Sequence, residues 1–164
     1  MKNSLFVLAF MLGYLSAQAQ SVQIKDLSAS VGSWEGKLTY LDYSSGKPYT
    51  MSANIKVSLT DNKSGYVMAY DYPNEPQANS SDTTYVTSRF FGKERIVGFQ
   101  KAADGGFTLV TELEGEDGND SKKAILRHTY QLKLNAYSIT KEVKFEGTEL
   151  WILRNEYLLT RAEN

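Results

Sequence analysis

The sequence predicts an all-β fold: a single antiparallel up-and-down β-barrel of about 8–10 strands, preceded by a short helical turn. Three observations carry the prediction. Two early runs alternate apolar and polar residues cleanly, further short strand-like runs follow at hairpin spacing, and no window sustains a 3.6-residue period.

Before the barrel comes a segment that reads as a signal for export. Met1-Lys2-Asn3 gives a short basic start, Leu5 to Leu15 an apolar stretch, and Ala17-Gln18-Ala19 a small-x-small cleavage site. Residues 1–19 are therefore read as a signal peptide and 20–164 as the barrel domain, secreted or periplasmic once Gln20 becomes the first residue. The apolar stretch is shorter than the roughly 20 residues that cross a bilayer, and an uncleaved anchor is the alternative. No second hydrophobic stretch follows, so no integral membrane span is expected.

The helical turn is expected over Ile24–Ala29. Next, Gly32, Trp34, Gly36, Leu38 and Tyr40 share one face, with Ser33, Glu35, Lys37 and Thr39 on the other. After the turn cluster Asp42–Pro48, the pattern repeats: Met51, Ala53, Ile55, Val57 and Leu59 against Ser52, Asn54, Lys56 and Ser58. Period two of this length describes a sheet with one buried and one wet face. Later strands are read near Gly65–Tyr72, Thr83–Phe91, Glu94–Phe99, Phe107–Leu113, Ala124–Leu134, Tyr137–Phe145 and Glu149–Thr160. The connectors Asp61–Gly65, Asp104-Gly105-Gly106, Gly115–Asn119 and Asn135-Ala136 carry turn chemistry, and the polar stretch Pro73–Ser81 reads as the longest loop. A sheet of about nine sequential strands curls or closes, which removes exposed edges. A two-sheet sandwich is the structural alternative.

Composition excludes several function classes. The chain has no cysteine, which removes disulfides, thiol catalysis and thiolate metal sites. Its formal charge of −1, or −2 once Lys2 is lost, argues against nucleic acid as a partner. One histidine and no cysteine cannot furnish a structural zinc site, so no metal is expected. The acidic run Glu114–Asp120 lacks EF-hand spacing and reads as a solvated hairpin loop, with a calcium site as the alternative.

A short helical turn, Gly32-Ser33-Trp34 opening the first strand, a meander, and an arginine on the last strand together resemble the lipocalin and broader calycin pattern, closest to lipocalin-like proteins exported by bacteria. The resemblance implies a barrel that encloses a small hydrophobic or amphipathic molecule. It also implies that Trp34 packs across the closed end under a late arginine, for which Arg154 and Arg161 are the candidates, with Gly32 beside it. Trp34 as a plain core aromatic is the alternative.

Chemistry is sparse. His128 shares strand parity with Leu126, Tyr130 and Leu132 and should face inward, where it could ligate haem iron, act as a base beside an acid such as Glu142 or Glu156, or simply bond a tyrosine. No cofactor is otherwise expected, and no Ser-His-Asp or phosphate-cradling pattern is present, so no catalytic residue is assigned. Eleven tyrosines stand out, and Tyr40, Tyr66, Tyr70, Tyr85, Tyr130 and Tyr157 are read with His128 as ligand-contacting wall residues. The leading expectation is a binding module. The alternatives are a barrel enzyme built on His128 and a carboxylate, or a structural barrel without a pocket.

Overall fold

The computed structural model describes residues 21–163; the signal segment read at 1–19 and its cleavage site lie outside them. A 3-10 helix over Ile24–Ser30 precedes ten strands: β1 Gly32–Leu41, β2 Pro48–Leu59, β3 Gly65–Asp71, β4 Ser80–Tyr85, β5 Phe90–Phe91, β6 Glu94–Lys101, β7 Phe107–Asp117, β8 Lys122–Lys133, β9 Ala136–Phe145 and β10 Ile152–Arg161. They form one sheet in the order β4-β3-β2-β1-β10-β9-β8-β7-β6-β5, every pair antiparallel. The ends of this sheet meet through the Val86–Phe91 bridge and the Gly92 N–H donating to the Tyr85 carbonyl at 2.9 Å. The result is a nearly closed up-and-down barrel, and the two-sheet alternative is set aside.

Several strand ends differ from the sequence reading by a few residues, β10 for one starting at Ile152, and two departures have a clear physical reason. The run Thr83–Phe91 is not one strand, because a turn splits it into β4 and β5: the Thr87 N–H donates to the Phe90 carbonyl, and the Thr87 hydroxyl accepts from the Phe90 N–H at 3.0 Å. The β7–β8 ladder runs past Gly115 to Asp117, opposite Lys122, because Glu116 faces Lys123 across it and opposite charges stabilise such a pair.

One end of the barrel is closed. Trp34 is wholly buried, its indole Nε1 donates to the Ser30 carbonyl at 2.8 Å, and its ring lies 5.3 Å from that of Tyr137. Leu27 and Val22 complete this apolar cluster from the N-terminal side. The 3-10 helix straps two strands that flank the seam between β4 and β5. On one side Ser30 meets Tyr66 of β3 at 2.5 Å between hydroxyls; on the other Asp26 pairs with Lys101 of β6 at 3.2 Å.

Arg161 lies over the Trp34 ring with its guanidinium carbon 4.2 Å from the centroid, and donates to the carbonyls of Val31 and Ala29. Gly32 makes room for it: the residue has φ +139, and a Cβ there would sit 2.7 Å from Arg161 Nη1. Arg154 is at the other end of β10, far along the strand from this ring.

Candidate functional site

Cross-strand register sorts the inward side chains into rungs. One rung runs Leu109, Tyr130, Ile139, Tyr157, Leu38 and Met51 across β7, β8, β9, β10, β1 and β2, and is apolar apart from its phenols. The next rung toward the mouth runs Thr111, His128, Lys141, Asn155 and Tyr40 over the first five of these strands. Every member of the second rung carries a polar group. The inner wall therefore changes character within one step of the pleat, about 7 Å along a strand.

His128 is the centre of the first polar group on this rung. Its Nδ1 is 3.0 Å from Glu94 Oε2 on β6, and the same carboxylate accepts from the hydroxyl of the wholly buried Thr111 on the intervening strand. Burial raises the Glu94 pKa, but the His128 hydrogen bond and charge, the Thr111 hydroxyl and the nearby Lys141 outweigh it, and the carboxyl sits below its ordinary value. An ionised carboxylate only accepts, so Nδ1 donates its proton to Glu94 and Nε2 is the ring nitrogen left outside this bond.

A second group closes around Asp117. This residue ends β7, yet it binds Lys141 of β9 at 2.5 Å, Arg154 of β10 at 3.2 Å, and the Tyr43 hydroxyl from the β1–β2 connection. Lys141 and Arg154 lie two and three strands from β7, and the Tyr43 contact comes from just past β1, four positions away, so it reaches across the mouth instead of following the sheet. Arg154 is 8 % exposed and stacks on Tyr43, with its guanidinium carbon 3.0 Å from the ring centroid. Burial lowers its pKa from the usual arginine value while Asp117 opposes the effect, and the guanidinium stays cationic. Its Nη1 is buried without a hydrogen-bond partner.

Five of the six predicted wall tyrosines face inward and separate into three sets. Tyr70, Tyr130 and Tyr157 gather around the apolar rung: Tyr70 and Tyr157 rings are 5.7 Å apart, Tyr130 packs at 5.2 Å on Phe91, and the Tyr157 hydroxyl meets that of Tyr72 at 2.6 Å. Tyr40 stands on the polar rung beside Tyr49. Tyr66, 1 % exposed, belongs instead to the closed end, where it bonds Ser30 and Tyr137. Burial pushes the phenols of Tyr66, Tyr70, Tyr130, Tyr137 and Tyr157 above their ordinary range, so all remain neutral hydroxyls at physiological pH.

Tyr85 is a correction. It is 60 % exposed on the outer surface, because Tyr66 opposite Thr84 fixes the inward parity of β4 and the next residue must point away. Glu142 and Glu156 are likewise on the outer parity, opposite Arg127 and Thr140, so neither is the acid beside His128. That acid is Glu94, which the sequence reading missed along with Thr111, Asp117 and Lys141. One available signal was Lys141, a charge at an inward position between Ile139 and Val143. Among the described residues no group of three or more His, Cys, Asp or Glu side chains is placed to hold a metal ion. Nor is any helix there long and apolar enough to cross a membrane.

No protein-family profile matches the chain, and no curated protein matches it. Solved structures do. A protein of unknown function from the DUF3598 family of Nostoc punctiforme PCC 73102 aligns at 14% identity and a TM-score of 0.46, over 88% of this chain and 51% of its own. Rv2717c from M. tuberculosis aligns at 15% identity and a TM-score of 0.56, over 90% of this chain and 99% of its own, and what the two share is the barrel fold.

Proposed function

We propose that this chain is an exported binding protein that holds a small amphipathic molecule in its barrel, as its resemblance to the lipocalins implies. The observation that carries the reading is the polar rung Thr111–His128–Lys141–Asn155–Tyr40 set directly against the apolar rung that contains Tyr130 and Tyr157. A dry structural core gains nothing from half-buried ionisable groups on its inner wall, since each costs desolvation free energy unless fully paired. A molecule with an apolar body and a polar head matches both rungs, and the buried phenols supply apolar area with directional hydroxyls.

Native mass spectrometry of the purified mature protein tests this. The expected result is a non-covalent small-molecule adduct that collisional activation strips away. A bare protein mass from several expression hosts, together with no binding of dodecanol in a calorimetric titration, would overturn the reading in favour of a pocketless structural barrel. Export is tested separately by N-terminal sequencing of the protein from the extracytoplasmic fraction, which should begin at Gln20.

One observation favours a second reading, with His128 as the working group. The Glu94 hydrogen bond orients the ring through Nδ1, and in the neutral form Nε2 would serve a proton in a barrel enzyme or haem iron. The absorption spectrum of the purified protein separates these. A Soret band that disappears in His128→Ala assigns the ring to iron, whereas a colourless adduct leaves it as a base or a head-group contact.

A further inference from the structure

We infer that the polar rung is a hydrolytic site, on which His128 acts as general base to cleave a neutral ester of an aliphatic acid. The inference rests on the second reading above, His128 as the working group, and names the reaction and the substrate class. Which groups on the rung are already spent separates this site from a plain binding wall. The Thr111 hydroxyl is committed to Glu94 and the Lys141 ammonium to Asp117. The other three members each keep a group with no hydrogen-bond partner among the described residues: His128 Nε2, the Asn155 carboxamide and the Tyr40 hydroxyl. None of these is sealed from solvent, since the one buried side-chain polar atom without a partner there is Arg154 Nη1.

Those three groups are the kinds that acyl transfer requires. A base is competent when a third group orients it. The Glu94 carboxylate holds His128 through Nδ1 at 3.0 Å, and the neutral ring takes a proton at Nε2. An amide N–H and a phenol O–H are donors for the oxyanion that forms on a carbonyl oxygen. His128 and Asn155 flank Lys141 in register, so their backbones stand about 10 Å apart, two inter-strand spacings. Inward side chains converge in a barrel, so a water and a carbonyl group span the interval.

Charge selects a neutral substrate. Around the rung the acids are Glu94, Asp117 and Asp82, the last on the inward parity of β4 opposite the buried Met68, and they face Lys141 and Arg154. No cation is left over for an anionic head, and an ester brings no charge to place. The adjoining rung of Ile139, Tyr157, Tyr130 and Leu38 receives the hydrocarbon chain.

In the reaction, Nε2 takes a proton from water as the water oxygen bonds to the carbonyl carbon. The carbonyl oxygen becomes an oxyanion facing Asn155 and Tyr40. Collapse of this tetrahedral species re-forms the carbonyl and breaks the bond to the alkoxy oxygen, which takes the proton from His128. The products are acid and alcohol, and the ring returns to its neutral form without a co-reactant.

The test is hydrolysis of para-nitrophenyl decanoate by the purified mature protein, followed by nitrophenolate release. Saturable turnover above the buffer rate is expected. His128→Ala should lower kcat by about 100-fold with KM little changed, the contribution of a general base, and added imidazole should restore part of it. Asn155→Ala should lower kcat by about 100-fold through the lost oxyanion donor. Glu94 is a positioning residue: Glu94→Gln should lower kcat at unchanged KM, and Glu94→Asp should recover part of the loss. If His128→Ala does not fold, His128→Gln, with its fold checked by circular dichroism, gives the same readout.

No turnover in a protein that binds dodecanol would overturn the inference and leave the binding reading intact. Turnover that persists unchanged in a folded His128 variant would overturn it too, as would a Soret band lost in His128→Ala, which gives Nε2 to iron. If the protein neither binds dodecanol nor turns over the ester, the binding reading fails as well.

Discussion

The hydroxyls of Ser30 and Tyr66 lie 2.5 Å apart in the closed end of the barrel, joining the N-terminal 3-10 helix to β3. Ser30 also donates to the Leu27 carbonyl at 2.6 Å, so with its proton committed there it accepts from the phenol. Removing either hydroxyl should destabilise the fold by about 1–2 kcal/mol, the cost of leaving a buried polar group short of a partner. Urea denaturation of Ser30→Ala, Tyr66→Phe and the double variant should show non-additivity of at least about 0.5 kcal/mol. Additive losses would mean the two hydroxyls act separately.

Arg161 covers Trp34 and holds two carbonyls of the segment that leads into β1. Arg161→Met keeps much of the apolar stem but loses the cation–π contact and both hydrogen bonds. A loss of about 1–3 kcal/mol is expected, combining an exposed-to-partly-buried cation–π term with the hydrogen bonds. Thermal unfolding followed by Trp fluorescence reads it, and an unchanged melting temperature would show that the arginine only decorates the ring.

Gly36 occupies the point where β1 and β10 press together. A Cβ there would collide with the Leu158 carbonyl oxygen and lie 2.9 Å from Leu159 Cα, both backbone atoms of a paired strand. Gly36→Ala should therefore cost about 1–3 kcal/mol, the range for overpacking against atoms that cannot rotate away. Chemical denaturation measures it. By contrast, Gly105→Ala meets open space, though its φ of +87 adds strain of its own.

Glu94 gives the barrel a pH dependence of known sign. Its folded-state pKa is depressed, with burial opposing and the contacts from His128, Thr111 and Lys141 prevailing. The unfolded chain therefore takes up the proton first as pH falls. The associated stability is present above the ordinary carboxylate value and is lost as pH drops through the lower, folded value. Urea midpoints measured from neutral to acid pH should fall less steeply in Glu94→Gln than in the unaltered protein. Parallel curves would remove Glu94 from the acid response.

Much of the fold was legible because one face of each early strand is buried. Trp34 and Leu38 of β1, and Met51, Ala53, Ile55 and Val57 of β2, were placed correctly by parity alone. The turn inside Thr83–Phe91 was not legible, since Thr87-Ser88-Arg89 contains neither glycine nor proline and the reversal depends on the Thr87 hydroxyl. The polar site was obscured for a different reason. Lys141 and Asp117 lie 24 residues apart on strands that do not pair directly, and the partner of His128 lies 34 residues away. Pattern within a strand gives the face of a residue. It does not give what crosses the lumen.

The seam between β4 and β5 has a consequence for how the barrel opens. Every other neighbouring pair is joined by a ladder of two or more residue pairs, whereas β5 is two residues long and meets the β4 side through the Val86–Phe91 bridge near the closed end. Above that bridge the outer edge of β4 offers free backbone groups, and its Ser80-Ser81-Asp82-Thr83-Thr84 sequence is polar enough to discourage a second chain from docking there. The circumference is thus hinged at one place. Widening the mouth breaks the fewest hydrogen bonds along this line, so the barrel unbuttons from the β4 side while the strapped end keeps its shape.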